Sequence, residues 1–548
     1  MRRTFIILAL FSIVFTAAAQ IAPDRYFVEF TDKSNNTFSI DRPWEFLSQR
    51  ALDRRASQGI TVTEIDLPVT ASYVDGVAAI GVTPLVRVNW LNGIIIACTD
   101  PSLIPQIESL PYVVNVVKNS PGNGTGTDKF APILRSVRPV GTSGNHDLKQ
   151  TLTYDYGQSY NQIAMLNGDK LHNEGYRGQG KVIAVLDAGF IGSDTIPVFD
   201  SLRDNGQILG GKDFVSPGST VFSHHPHGTM VLSTMGGNLP GALIGTAPKA
   251  EYWLLRSEDG GSEYIIEEYN WVAAAAFADS VGADILNSSL GYTQFDDPSQ
   301  NHSCDDMNGN TTPVTRGANL AAQRGIVVVN SAGNSGGSSW MCVGAPADGT
   351  DVLAVAAVDS NGNYASFSSW GEILGSYVKP NVAAQGALTV VSWTDGSIVR
   401  SNGTSFSSPV MAGMIASLWS ARPGLSAIDI RRMVEQSGSQ SGSPDTLLGY
   451  GIPDFFMILG NGEVPLIPAG AIQTYPNPFT DRLTLLIRPE TDSRFSATLW
   501  TVRGERAWTS GIFSAQKGEN RLDLAIPGNL SRGLYLLQLT EQGTGKSV

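Results

Sequence analysis

Five short apolar runs, near residues 182–186, 251–255, 283–287, 326–330 and 352–358, punctuate the middle of the chain. Helical stretches such as Ile265 to Ser280 and Thr315 to Arg324 separate them. Runs that are apolar at every position suit strands covered on both faces, and strand–helix alternation predicts a parallel sheet with helices on both sides. The flanks read differently. Tyr26 to Phe30, Trp90 to Cys98 and Tyr112 to Lys118 read as strands, and Trp44 to Gln58 and Pro101 to Leu110 as helices, which makes a small α+β unit. Residues 122–150 are rich in Gly, Ser and Thr and weakly patterned, as in a linker. A second linker, Val464 to Gly470, precedes Leu483 to Ile487, Ser496 to Thr501, Asn520 to Leu524 and Leu534 to Leu539. Those short alternating segments, spaced by Gly, Asn and Pro turns, predict a small β-sandwich.

The N-terminus bears on the compartment. Arg2 and Arg3 precede an apolar run from Phe5 to Phe15 and then Ala17-Ala18-Ala19. This is the pattern of a secretory signal peptide cleaved after Ala19, and the run is too short for a membrane span. A chain of 548 residues has room for two or three domains. Its net charge of −13 argues against nucleic acid as a partner. There is no tandem repeat and no phosphate-cradling loop.

The candidate chemistry lies at the ends of the apolar runs. Val182-Ile183-Ala184-Val185-Leu186-Asp187 places a carboxylate at a strand's C-terminal end, where open α/β sheets build their sites. His227-Gly228-Thr229-Met230 follows, at the start of a helix. Ser401-Asn402-Gly403-Thr404-Ser405-Phe406-Ser407-Ser408-Pro409 then leads into the apolar helix Val410 to Trp419. A serine hydroxyl needs a base to take its proton and an acid to orient that base, and Asp187, His227 and Ser405 supply all three. Val327-Val328-Val329-Asn330 is another apolar run, and it ends in the Gly-rich loop Ser331-Ala332-Gly333-Asn334.

Gly-Thr-Ser-x-x-x-Pro, the order Asp–His–Ser and the Asn334 loop resemble the subtilisin-like serine proteases, the subtilases. Phe367 to Gly371, Lys379 to Gly386 and Gly245 to Ala250 also match blocks of that family. The resemblance covers roughly residues 160–460. It implies a three-layer α/β fold and a secreted serine endopeptidase acting on protein or peptide substrates through an acyl-enzyme, with no cofactor required for the chemistry. It assigns Asp187, His227 and Ser405 as catalytic, Asn334 as the oxyanion donor, and Ser289, Leu290, Gly291, Ala332 and Gly333 as substrate-binding. One departure is Ala188, where subtilases usually carry a hydroxyl residue. A catalytically dead binding protein with this fold should have lost one of the four groups, and none is lost.

The same resemblance implies a propeptide partner that inhibits until cut. The expected organisation is a signal peptide at 1–19, an α+β propeptide at 20–120, a linker with the maturation site at 121–155, a peptidase domain at 156–462 and a C-terminal β-sandwich at 463–548. Tyr475-Pro476-Asn477-Pro478-Phe479 and Leu530 to Tyr535 resemble the sorting domain of type IX secretion cargo in Bacteroidetes, which implies that machinery as a partner and export across both membranes, with release or surface attachment. Such domains usually end in a basic strand, whereas this chain ends Gly545-Lys546-Ser547-Val548. With Cys98 leaving in the propeptide, Cys304 and Cys342 form an even pair in an oxidising space, which permits a disulfide, but sequence does not show whether they lie within bridging distance. The loop from Asp296 to Asn310 is rich in oxygen ligands. Its spacing does not match an EF-hand, so a solvated acidic loop is favoured, with structural calcium left open. His224 and His225 read as loop residues and His172 as structural.

Overall fold

The computed structural model describes residues 24–119, 128–139, 153–374, 377–460 and most of 472–542. The expected signal peptide, linker residues 140–150, Pro476-Asn477-Pro478 and the C-terminal tail Gly545 to Val548 lie outside the described residues.

The central sheet has seven strands, all parallel, in the order Val382–Gln385, Leu353–Val358, Val327–Ser331, Ile285–Ser288, Val182–Asp187, Glu251–Arg256 and Ile208–Asp213. The five expected strands are there. The two edge strands were missed, for physical reasons. Ile208–Asp213 carries two glycines and alternates in exposure, and Val382–Gln385 has only four residues. Four of the five inner strands are buried at every position, which is why their sequence is continuously apolar, while Glu251–Arg256 keeps Glu251 and Trp253 half-buried. Helices Ile266–Ser280 and Pro313–Gln323 pack together on one face; His227–Gly236 and Thr404–Ala421 pack together on the other.

Ahead of this sandwich a four-stranded sheet, ordered Thr83–Val88, Gly93–Ala97, Arg25–Phe30 and Val113–Lys118, packs against the helix Ile266–Ser280. Strand periodicity divides its side chains. Phe27 and Ile95 join the central core, whereas Tyr26, Val28, Phe30, Ile94 and Ile96 build a separate core with the unit's own helices. Phe27 stacks on Tyr269 with ring centroids 4.0 Å apart. Ion pairs, most of them buried, add to this interface. Arg54 pairs with Asp279, and Arg55 bridges Asp66 at 3.0 Å and Asp279 at 2.5 Å. Arg324 reaches Asp66 at 2.6 Å and Arg50 reaches Asp284 at 2.5 Å. The expected helix over 44–58 begins at Gln49, where Ser48 caps it by accepting from the Ala51 N–H.

Residues 128–139 depart from the expected patternless linker. They form a short helix, Ala131–Arg135, and a two-residue strand, Arg138–Pro139, that pairs antiparallel with Ile398–Ser401. Phe130 and Ile133 are buried in the central core, so tertiary packing supplies the order that local pattern does not.

The C-terminal strands form two antiparallel sheets around Leu483, Leu485, Ile487, Leu499 and Leu539, as the alternation predicts. Cys304 and Cys342 are joined, with Cα atoms 6.2 Å apart and 38 residues of separation, and Cys98 is a buried free thiol. Closing a loop of that size is worth roughly 4 kcal/mol in the chain-entropy account. A Cys304→Ser/Cys342→Ser variant is expected to unfold about 5–10 °C lower in a thermal melt. An unchanged midpoint would show that the bond holds nothing that packing does not.

Candidate active site

Asp187 ends its strand fully buried, and its Oδ1 accepts from the Ala188 N–H and from His227 Nδ1, both at 2.8 Å. A carboxylate only accepts, so Nδ1 carries a proton and donates, and in the neutral ring the lone pair then lies on Nε2. The approach is tight because residue 228 is glycine. A Cβ there would stand 2.4 Å from the Gly189 carbonyl oxygen. Ala188 lacks the hydroxyl expected of the family and supplies its backbone N–H instead. Asp187 Oδ2 has no hydrogen-bond partner among the described residues.

Ser405 is the second residue of the helix Thr404–Ala421. Its Oγ donates to the Ser289 carbonyl at 3.3 Å, and its own carbonyl accepts from Ser289 Oγ at 2.8 Å. Pro409 explains the second bond. It stands sixth in the helix, four residues after Ser405. Its missing N–H leaves the Ser405 carbonyl free for Ser289. Asn334 Oδ1 accepts from the Thr404 N–H at 2.8 Å and from Thr404 Oγ1 at 3.0 Å. Those two bonds fix the amide and commit its oxygen, so the N–H₂ end is the one available to the cleft.

Ser405, Asn334, Ser289, Leu290, Gly291 and Gly333 line one cavity of about 210 Å³. Ala332 does not belong to that lining. It is fully buried in a small cluster with Val343, Ala347 and Ala354, and its N–H donates to the Val355 carbonyl, as a strand-end core residue does.

The structure joins Asp187 to His227 but not His227 to Ser405. His227 Nε2 is buried without a partner among the described residues, and the Phe130 ring stacks over the imidazole at 4.2 Å. The segment 128–139 therefore covers the site. Asp128 bonds His225 at 3.2 Å, and Ser136 Oγ accepts from the Asn402 N–H at 2.8 Å. Lys129 sinks its ammonium among Glu258, Glu263 and Glu267. No sequence pattern marked these three glutamates as a group. Their one signal is that Glu267, beside Glu268, opens a mostly apolar helix.

The remaining histidines fall where their surroundings put them. His224 Nε2 lies 3.4 Å from Asp213, and His225 touches the covering segment; among the described residues neither joins a third ligand. His172 is buried between the Tyr156 hydroxyl at 2.9 Å and the Thr246 carbonyl at 3.0 Å, and burial pushes it down to about 4, so it stays neutral and structural. In the acidic loop, Asp297 caps Ser299 and Asp306 caps Ser303, so these carboxylates are spent on turns. Among the described residues the converging acidic trio is Glu258, Glu263 and Glu267 instead.

The chain is similar to known proteins. The Subtilase family matches residues 178–451, and the Peptidase S8 propeptide domain of Bacteroidota matches residues 25–129. Subtilisin DY of Bacillus licheniformis is 32% identical over 287 residues, 51% of this chain and 91% of its own. A thermostable alkaline protease of Halalkalibacterium halodurans is 30% identical over 295 residues, 53% of this chain and 70% of its own. The solved structure of MycP1 with the N-terminal propeptide removed overlays with a TM-score of 0.44 at 24% identity, over 56% of this chain and 98% of that one. The chain belongs to the subtilase family: it is a serine-type endopeptidase that carries a Bacteroidota-type S8 propeptide domain ahead of its catalytic unit.

Proposed function

We propose that this endopeptidase works through Asp187, His227 and Ser405, and that the chain is a secreted zymogen that cuts itself. The observation that carries the reading is the 2.8 Å bond from His227 Nδ1 to Asp187, which leaves Nε2 as the free base beside a cleft that also holds Ser405 and Asn334. In the active state Ser405 Oγ turns from the Ser289 carbonyl to Nε2. The serine proton passes to His227 while Oγ bonds to the substrate carbonyl carbon. The carbonyl oxygen becomes negative and receives the Asn334 side-chain N–H and the Ser405 backbone N–H. His227 then gives its proton to the leaving amine. Water, deprotonated by the same ring, cleaves the acyl-enzyme. Asp187 stays ionised and steadies the imidazolium. Substrate lies extended along Ser289 to Gly291. These side chains supply each proton transfer, so no cofactor is assigned to the reaction.

A fluorophosphonate probe tests this reading. It should label the matured enzyme stoichiometrically at Ser405, and label the intact chain slowly because Phe130 and the segment around it cover the site. Labelling at another serine, or none with hydrolysis intact, would refute it.

The propeptide's grip should be ionic and acid-resistant. Burial alone would raise the Asp66 carboxyl, but the charges and hydrogen bonds of Arg324 and Arg55 outweigh it and hold Asp66 down to about 2. Its contribution is therefore complete above the ordinary carboxylate range near 4 and is lost only as pH falls from there toward 2. Removing one partner of a buried pair strands the other, at about 3–5 kcal/mol. Arg55→Ala in a separately produced residue 20–129 fragment is expected to weaken inhibition of the matured enzyme by about 10²–10³-fold. Wild-type inhibition should be nearly constant between pH 5 and 7. Equal inhibition constants for the two fragments would contradict the role given to the ion pairs.

Export rests on the signal-peptide pattern and on the likeness of the C-terminal strands to type IX cargo. The β-sandwich is then a sorting unit, with the outer surface or the medium as its destination. Among the described residues no helix is long and apolar enough to cross a membrane.

A further inference from the structure

Three glutamates converge beside the reaction site with acceptor atoms within 4.8 Å of one another. They are not equivalent. Glu267 is held by the chain itself, accepting the Asp259 N–H at 2.7 Å and the Tyr264 N–H at 3.1 Å. Glu258 accepts from the Tyr292 hydroxyl. Glu263 Oε1 is buried without a hydrogen-bond partner among the described residues, and its other oxygen meets Lys129 Nζ at 3.1 Å. Glu258 and Glu263 face the same cavity as Ser405 and Asn334.

The occupant shows what the pocket takes. The Lys129 ammonium contacts all three carboxylates, while its backbone N–H donates to the Gly260 carbonyl at 3.2 Å. The next residue, Phe130, lies on the catalytic imidazole. A chain crossing the cleft thus places a basic side chain here when an adjacent residue covers His227. Lys129 is also the last residue of the propeptide match. When this segment vacates the cleft, the carboxylates lose that ammonium.

The geometry points to a specificity subsite: Glu258 and Glu263, seated on Glu267, bind a lysine or arginine side chain of the substrate within a few residues of the cleaved bond, and Lys129 fills the subsite in the precursor. The inference rests on the proposed function, in which the segment leaves and Ser405 cuts. Three carboxylates around one ammonium leave spare acceptors, which a guanidinium with five N–H donors fills better than an ammonium does.

The test uses matured enzyme and fluorogenic peptides carrying lysine, arginine or norleucine at each of the four positions before the cleaved bond. At one position the basic peptides should show about 100-fold higher kcat/KM than the norleucine peptide, chiefly through KM. Glu263→Gln and Glu258→Gln should each cut that ratio about tenfold. Glu263, at the rim of the trio, is the safer substitution for folding. A ratio within threefold at all four positions, with norleucine peptides still cut, would overturn the subsite and leave the peptidase reading intact. So would a ratio that survives both substitutions. Failure to cut any peptide would instead strike the peptidase reading. If calcium binds the matured wild type but not Glu263→Gln and erases the preference, the trio is a metal site and the proposal falls.

Discussion

A Ser405→Ala variant is expected to hydrolyse peptides about 10⁶-fold more slowly than the wild type, a magnitude taken from subtilisin, a member of the same family. The size follows from what remains. In the proposed mechanism Asn334 and the residue-405 backbone N–H still offer an oxyanion site and Ser289 to Gly291 still hold substrate, so catalysis over water is expected to persist at a residual level. The nucleophile is gone, and water must attack in its place. The fold should be untouched. Ser405 Oγ makes one 3.3 Å bond, to Ser289, while the bond that organises the helix start runs from Ser289 Oγ to the Ser405 carbonyl and survives in alanine. Peptide hydrolysis by a variant freed from its propeptide with a trace of wild-type enzyme, then purified, measures the loss. A loss under about tenfold would mean that another group attacks.

The Asp187→Asn variant comes second, with an expected loss of about 10⁴ in kcat and little change in KM. Oδ1 of Asp187 receives two donors, the Ala188 N–H and His227 Nδ1, both at 2.8 Å. An asparagine can keep both bonds only by presenting its carbonyl oxygen, and it carries no charge to stabilise the imidazolium. If the amide flips, its N–H₂ faces Nδ1 and forces the proton onto Nε2, the nitrogen that must stay free. Burial sharpens both effects, because Asp187 has no surface open to bulk solvent. The loss should be largest below neutral pH and partly relieved at alkaline pH, where hydroxide can help draw off the serine proton. A pH–rate profile identical in shape to wild type would contradict this orienting role.

How much of this was legible depended on how local the physics is. Val182–Asp187 and the helix at Thr404 announce themselves because continuous burial and a Gly-Thr-Ser start are written in adjacent residues. The edge strand Ile208–Asp213 is invisible because its glycines and half-exposed positions are tolerated only by its pairing with Glu251–Arg256. The segment around Phe130 is quieter still. A five-residue helix has no pattern to read, and its order comes from a ring laid on His227 and from Ile133 in the core. Glu258, Glu263 and Glu267 look like solvated surface charges until the fold brings them together on one lysine. Pro409 could have been placed by counting. Four residues past Ser405, it removes the one N–H that would have claimed the Ser405 carbonyl. Ala332 shows the converse, since a residue beside the site in sequence can face the core.

The central claim is that Ser405 releases the chain from the segment that covers it. The decisive measurement is a time course of intact mass and N-terminal sequence for residues 20–548, run in parallel for wild type and Ser405→Ala. The account predicts that the wild type sheds a fragment of about 100–130 residues and gains peptidase activity in step, while the alanine chain stays whole. Processing of both chains at the same rate and the same bond would contradict it.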